Sequence, residues 1–149
     1  MVDQIDTGIL EKLKEDSRTS YAELGRLFNL TRASIKERVE KLRNEGVIEQ
    51  FTIIVNPYVV GKRVSVFMEI DVEPRYLDNV AKTLSKDERV ESLYLMTGAS
   101  TLHMHALLEN MGALEAFVLE TVYAQEGILS VRTNTLLKRY KSKRGGPRL

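Results

Sequence analysis

Apolar residues follow helical spacing over the first third of the chain. After that they run as alternating or β-branched stretches, interrupted by two further helical patterns. Ile5, Ile9, Leu10 and Leu13 stand at i, i+4, i+5 and i+8, which predicts an amphipathic helix of about three turns. Asp3 and Asp6 suit its N-terminal end electrostatically. The segment DSRT breaks it. In SYAELGRLF, Ser20 with Glu23 three residues on is a capping-box signature, and Leu24, Leu27 and Phe28 supply the buried face of a second, short helix. Asn29 and Leu30 make a tight connection, since Asn tolerates left-handed backbone. Thr31 is a natural N-cap for a third helix running to about Glu45, and Gly46 is its stop. Three short helices with a brief turn between the second and third have the layout of a helix-turn-helix.

From Val47 the pattern turns extended. VIEQFTIIVNP is rich in β-branched residues and stops at Pro57, and YVVGKR reads as a boundary. SVFMEIDV is a strand with Phe67, Glu69 and Asp71 on one face. Pro74 suits the first turn of a helix whose buried face is Leu77, Val80, Ala81 and Leu84. RVESLYLMTG and TLHMHALLE follow as strands. Asn110 caps a helix carrying Leu114, Phe117, Val118, Thr121 and Val122, ended by Gly127. ILSVRTNTLLKRY is a last strand with Val131, Thr133 and Thr135 on one side. The second half is thus βαββαβ, a split ferredoxin-like unit. The fold class is α+β: a (winged) helix-turn-helix domain at 1–48, a linker strand at 49–63, a ferredoxin-like domain at 64–141, and a basic tail at 142–149.

Composition narrows the class. The 149 residues are 43% hydrophobic and 29% charged, an ordinary soluble mixture. No apolar run approaches the roughly 20 residues of a membrane span, and the acidic N-terminus MVDQIDTGIL is unlike a signal peptide. With no cysteine there is no disulfide or thiolate site. A cytoplasmic protein without membrane contact is expected. The net charge of +1 hides a local asymmetry. Residues 138–149 carry six cations and no acid, and residues 31–43 carry five cations against Glu37 and Glu40. Local patches, not the total, set the field a nucleic acid meets.

The third helix explains one of those patches. On a helical wheel, Ile35, Val39 and Leu42 occupy an arc of about 60° that must pack on the first two helices. Opposite lie Ala33, Ser34, Glu37 and Lys41, with Arg32 and Arg38 flanking the apolar arc. Small residues let a backbone approach the floor of a groove, and flanking cations meet phosphates. A solvated helix with pairs such as Glu37–Lys41 is the plainer reading. The preceding capped helix and two-residue turn favour DNA. The DNA-facing set is therefore Thr31, Arg32, Ala33, Ser34, Lys36, Glu37, Arg38 and Lys41.

The segments DQIDTGILEKL, RTSYAELGRLFNLTRASIKERVEKLRNEGVIEQFTIIVNP, RVESLYLMTG and TNTLLK resemble the Lrp/AsnC "feast/famine" family of transcription regulators, over about residues 3–141. The resemblance implies sequence-specific binding of double-stranded DNA through LTRASIKERV. It also implies a C-terminal domain that dimerises, assembly of dimers to higher oligomers such as octamers, and an amino-acid or other small effector. Arg38 matches an arginine that such proteins keep near a phosphate or in a local ion pair. The effector pocket of the family maps to Gly98, Ala99, Ser100, Thr101, Thr133 and Thr135.

One departure matters. The family loop often reads G-D-x-D; here it is TGASTL, with Ala99 and Thr101 at the acidic positions. An α-ammonium would lack an anionic partner, and burying it unpaired is costly. The expectation is a regulator without an amino-acid effector, or one sensing a ligand that needs no ammonium, unless Glu69 or Asp71 supplies the carboxylate. His103 and His105 share a strand face about 7 Å apart. With no further ligand nearby in sequence, they read as packing or interface histidines, not as a metal site. No nucleotide-binding, zinc-protease or nucleophile motif occurs, so neither an enzyme nor a cofactor is expected. The other reading is a ligand-sensing or architectural oligomer with mainly nonspecific DNA binding. Apolar residues on both faces of the third strand point to face-to-face dimerisation, and the tail to a solubilising end or auxiliary phosphate contact.

Overall fold

The computed structural model describes residues 2–98 and 100–141. Ala99 of the expected effector loop and the 142–149 part of the basic tail lie outside the described residues. The described chain forms two compact units, one within the residues up to Ile54 and one spanning Val55–Tyr140.

The first unit holds α1 (Gln4–Glu15), α2 (Tyr21–Phe28) and α3 (Arg32–Asn44). Each helix begins where a side chain takes over a free backbone N–H: Asp3, Ser20 and Thr31 accept from Asp6, Glu23 and Ser34. The reciprocal capping box falls on Asp3 and Asp6; at Ser20 and Glu23 only the serine bond forms. Asn29 closes α2 in left-handed backbone, at φ 56° and ψ 43°. Ile9, Leu24, Ile35 and Val39 are fully buried at the centre. Leu27, expected inside, is 56% exposed. The inward stripe of α2 instead follows Tyr21, Leu24, Gly25 and Phe28, and Leu27 falls outside that arc. Gly46, at φ +71°, ends the α3 segment, and the N–H groups of Val47 and Ile48 turn back to the carbonyl of Leu42.

The expected linker strand and wing are not found: no strand lies between Asn44 and Val64 among the described residues. β-branched composition favours extended backbone, but a strand exists only when another pairs with it. The same chain offers no such partner here. Ile53 and Ile54 are left 75% and 67% exposed.

The second unit contains β1 (Val64–Val72), α4 (Leu77–Leu84), β2 (Val90–Leu95), β3 (Thr101–Leu108), α5 (Met111–Ala116) and β4 (Ile128–Thr135). The sheet is antiparallel in the order β2-β3-β1-β4, as a βαββαβ unit requires. Val66, Met68, Ile70 and Val72 of β1 join Leu102, Met104, Ala106 and Leu108 of β3 in a core closed by Val80, Leu84, Leu114, Phe117 and Val122. The α5 helix continues as a π-helix over Phe117–Val122. That wider winding puts residues five apart on one face, so Phe117 and Val122 are both fully buried. Burial along β3 alternates strictly, so its second face, with Thr101, His103, His105 and Leu107, is open and only partly exposed. No helix among the described residues is long and apolar enough to cross a membrane.

Candidate nucleic-acid interface and effector loop

The DNA-facing set begins at the N-terminus of α3, where the turn through Asn29 sets it beside α2. Thr31 and Ser34 are committed to each other: the Ser34 N–H donates to Thr31 Oγ1 at 3.1 Å, and the two hydroxyls stand 2.9 Å apart. They build the cap that starts the helix. Arg32, Ala33, Lys36, Glu37 and Lys41 are exposed. Lys36 reaches Glu40 at 3.6 Å and Lys41 reaches Glu45 at 3.9 Å, in place of the Glu37–Lys41 pair. Solvent-exposed pairs of this kind hold weakly and can be exchanged for phosphate. Arg26, exposed in the last turn of α2, has by contrast no carboxylate partner among the described residues. It lies outside the third helix, so the charge pattern of that helix does not reveal it.

Arg38 is placed differently from its exposed neighbours. Its Nη1 donates to Asp3 Oδ2 at 2.6 Å and to Asp6 Oδ1 at 2.7 Å. Asp6 is the buried charged residue of this unit, 1% exposed. The two carboxylates, hydrogen-bonded first through Asp3, hold the guanidinium more firmly protonated than usual. Asp3 is held below its ordinary carboxyl value, chiefly by the Asp6 N–H and then by Arg38.

The effector set does not converge within one chain. Gly98 sits at φ +112° with open space where a side chain would go, which suits a loop whose backbone meets a ligand. The carbonyl of Ser100 accepts from the Val72 N–H at 2.9 Å. Thr101 pairs in register with Asp71 on the open face. Thr133 and Thr135 pair with Met68 and Val66, hence lie on the opposite, helix-covered side, exposed at the β4 edge. Sequence spacing showed that the two threonines share a face but not which one.

A carboxylate stands next to Thr101 on the open face. Asp71 accepts from Thr101 Oγ1 at 2.7 Å and from Ser130 Oγ at 2.6 Å. Ser130 first, then Thr101, holds its carboxyl below the ordinary 3.8. The neighbouring Glu69 is bonded by Arg132, whose Nη2 lies 2.7 Å away. Further along the open face, His105 stacks on Phe67 with centroids 4.5 Å apart and shares a 2.8 Å hydrogen bond with Ser65. Burial pushes its pKa below the ordinary 6.5. His103 stands between Tyr94 and Glu69 in register. Among the described residues no group of three or more His, Asp or Glu side chains could hold a metal ion.

Comparisons with known proteins agree with this geometry. Residues 2–43 match the AsnC-type helix-turn-helix domain, and residues 65–145 match the Lrp/AsnC ligand binding domain. The HTH-type transcriptional regulator PH0140 of Pyrococcus horikoshii is 36% identical over 135 residues, covering 91% of this chain and 85% of that protein. LrpC of Bacillus subtilis is 35% identical over 125 residues, covering 83% and 87%. Among solved structures, E. coli AsnC superposes with a TM-score of 0.89 at 27% identity, over 95% of this chain and 96% of that one. A feast or famine regulatory protein from M. tuberculosis complexed with L-methionine gives 0.88 at 26% identity, over 98% and 99%.

Proposed function

The chain belongs to the Lrp/AsnC family of HTH-type transcriptional regulators, and on that footing we propose that α3 reads the major groove of a specific operator through Arg32, Ala33, Lys36, Glu37 and Lys41. The observation that carries this is the capped turn from α2 into α3. It presents a small residue, Ala33, between exposed cations at the helix N-terminus. Ala33 permits close approach to base edges, Glu37 can accept from an exocyclic amine, and the cations meet phosphates. The protein works in the cytoplasm as a dimer that stacks the open sheet faces of two copies, with larger assemblies built from dimers. Two recognition helices then meet grooves about one turn apart.

The effector is a small molecule, and an amino acid is the favoured class. The M. tuberculosis relative is complexed with L-methionine. Here Asp71, hydrogen-bonded to Thr101, stands in for the acid absent from the loop.

Selection of duplexes from a random-sequence pool tests the DNA reading. One motif should be enriched, and Glu37→Ala should alter its bases while Lys36→Ala weakens all sequences alike. Equal affinity for enriched and scrambled duplexes at fixed salt would leave the architectural, nonspecific reading in its place.

A further inference from the structure

We infer that Arg38 controls DNA binding as a positioning residue, by locking α3 to the N-terminus of α1, and not by touching a phosphate. The inference rests on the reading of α3 as the DNA-facing helix. Ile35, Val39 and Leu42 bury the inner side of α3. Apolar packing is non-directional, so that narrow stripe resists separation of the helices more than roll or sliding of one against the other. A charge-assisted hydrogen bond is directional, and Arg38 supplies two.

The cradle that receives it is closed. Asp3 Oδ1 accepts the Asp6 N–H at 2.7 Å, and Asp6 Oδ2 accepts the Asp3 N–H at 3.2 Å. The remaining oxygens, Asp3 Oδ2 and Asp6 Oδ1, take the guanidinium. All four carboxylate oxygens are thereby used once. The same capping box that fixes the first turn of α1 fixes the anchor point of α3, 32 residues away. The three side chains together carry one net negative charge. A phosphate drawn to Arg38 would meet two carboxylates already at its Nη1, a like-charge encounter that disfavours contact. Arg38 is also only 30% exposed, whereas Lys36 and Lys41 are 61% and 51% exposed. The cations free to meet a backbone are its neighbours, and Arg38 sets where they point.

The test uses the full chain and a labelled duplex enriched from a random pool by the wild-type protein. Affinity is measured over a salt series, at a temperature where circular dichroism shows each variant folded. Arg38→Met and Asp6→Asn should each bind about tenfold more weakly, with the slope of log affinity against log salt unchanged. The double variant should bind no worse than the weaker single one, because one interaction is lost once. Asp3→Asn, at the more exposed carboxylate, should show a smaller loss in the same direction and guards against a misfolded Asp6 variant. If Arg38→Met instead reduces the slope by about 0.9 while Asp6→Asn binds as tightly as the wild type or tighter, Arg38 is a phosphate contact and the inference is overturned. Variants that melt earlier but bind unchanged overturn it too, in favour of a role in stability alone. A wild type that enriches no duplex removes the DNA reading itself, and this inference with it.

Discussion

A Cβ on Gly25 would stand 2.6 Å from the carbonyl oxygen of Leu30. The turn between α2 and α3 therefore closes against bare backbone, and the Leu30 N–H donates back to the Gly25 carbonyl at 2.8 Å. Gly25 is needed for space. Gly46 is needed for conformation: its surroundings are open but its φ is +71°. Gly25→Ala should open the turn and abolish DNA binding, with a stability loss of about 1–3 kcal/mol from overpacking against backbone. Gly46→Ala should cost about 1–2 kcal/mol for left-handed backbone and leave DNA affinity nearly intact, because α3 is already complete. Thermal melts and duplex titrations of the two variants separate these outcomes. Intact DNA binding by a folded Gly25→Ala protein would show that the turn tolerates widening.

The caps at Ser20 and Thr31, and Asn29 between them, were legible in the sequence because each is decided by bonds within four residues. What failed there was long-range or relational. The tie from Arg38 to Asp6 spans 32 residues, so the sequence offers Arg38 either a phosphate or a local ion pair without naming the partner, and shows Asp6 only as a helix-end charge. The segment around Ile53 has strand composition but no partner in the chain, and composition cannot supply one. The π-helical winding over Phe117–Val122 leaves no mark in the sequence, because Leu114, Phe117, Val118, Thr121 and Val122 also fit ordinary helical spacing. The split of Thr101 from Thr133 and Thr135 across the sheet needed the strand register. That register also revealed Asp71 as the neighbour of Thr101.

The open sheet face should be a dimer interface. Phe67 is 48% and Tyr94 40% exposed there, beside His105 and Leu107, while the other face is sealed by helices. Aromatic residues at the centre of a patch carry much of an interface's affinity. Sedimentation at micromolar concentration should find a species of twice 17.0 kDa or larger, with none at 17.0 kDa. Phe67→Glu should shift it toward the 17.0 kDa monomer. A wild-type monomer at that concentration would remove the interface.

His105 should make the fold sensitive to mild acid. Burial lowers its pKa from 6.5 in the folded protein. In the unfolded chain the ring regains that ordinary value, so as pH falls through 6.5 the unfolded state takes up the proton first. Stability is therefore full above this range and declines from pH 6.5 down to the lowered folded value. Carboxylates held low, such as Asp71 and Asp87, add their loss only in stronger acid, because their ordinary value is 3.8. Urea melts between pH 7 and 5 should show falling stability in the wild type. In His105→Phe, which keeps a ring against Phe67, the decline over that interval should be smaller. A wild-type profile that stays flat there would mean that the ring is not desolvated enough to matter.

The effector tests whether Asp71 can replace an acid that belongs elsewhere in the loop. A carboxylate has about four lone-pair positions, and Thr101 and Ser130 occupy two. The remainder can receive an ammonium, and the two hydroxyls hold the acid ionised for it. Arg132, with Nη2 4.0 Å from Asp71 Oδ2, is the rival cation, but its shorter bond is to Glu69 at 2.7 Å. An amino acid should therefore bind with its carboxylate at the backbone of the Gly98 loop and its ammonium at Asp71. Calorimetric titration with the twenty amino acids identifies the ligand, and its analogue lacking the amino group supplies the contrast. The amino acid should bind at least about tenfold more tightly than that analogue. Asp71→Asn should erase the difference, leaving the weaker carboxylate binding in place. Gly98→Val should weaken both. If the analogue binds as well as the amino acid in the wild type, the ligand needs no ammonium partner, and the earlier expectation from TGASTL stands against Asp71. If the discrimination survives Asp71→Asn, the anionic partner lies elsewhere, with Glu69 the next residue to substitute.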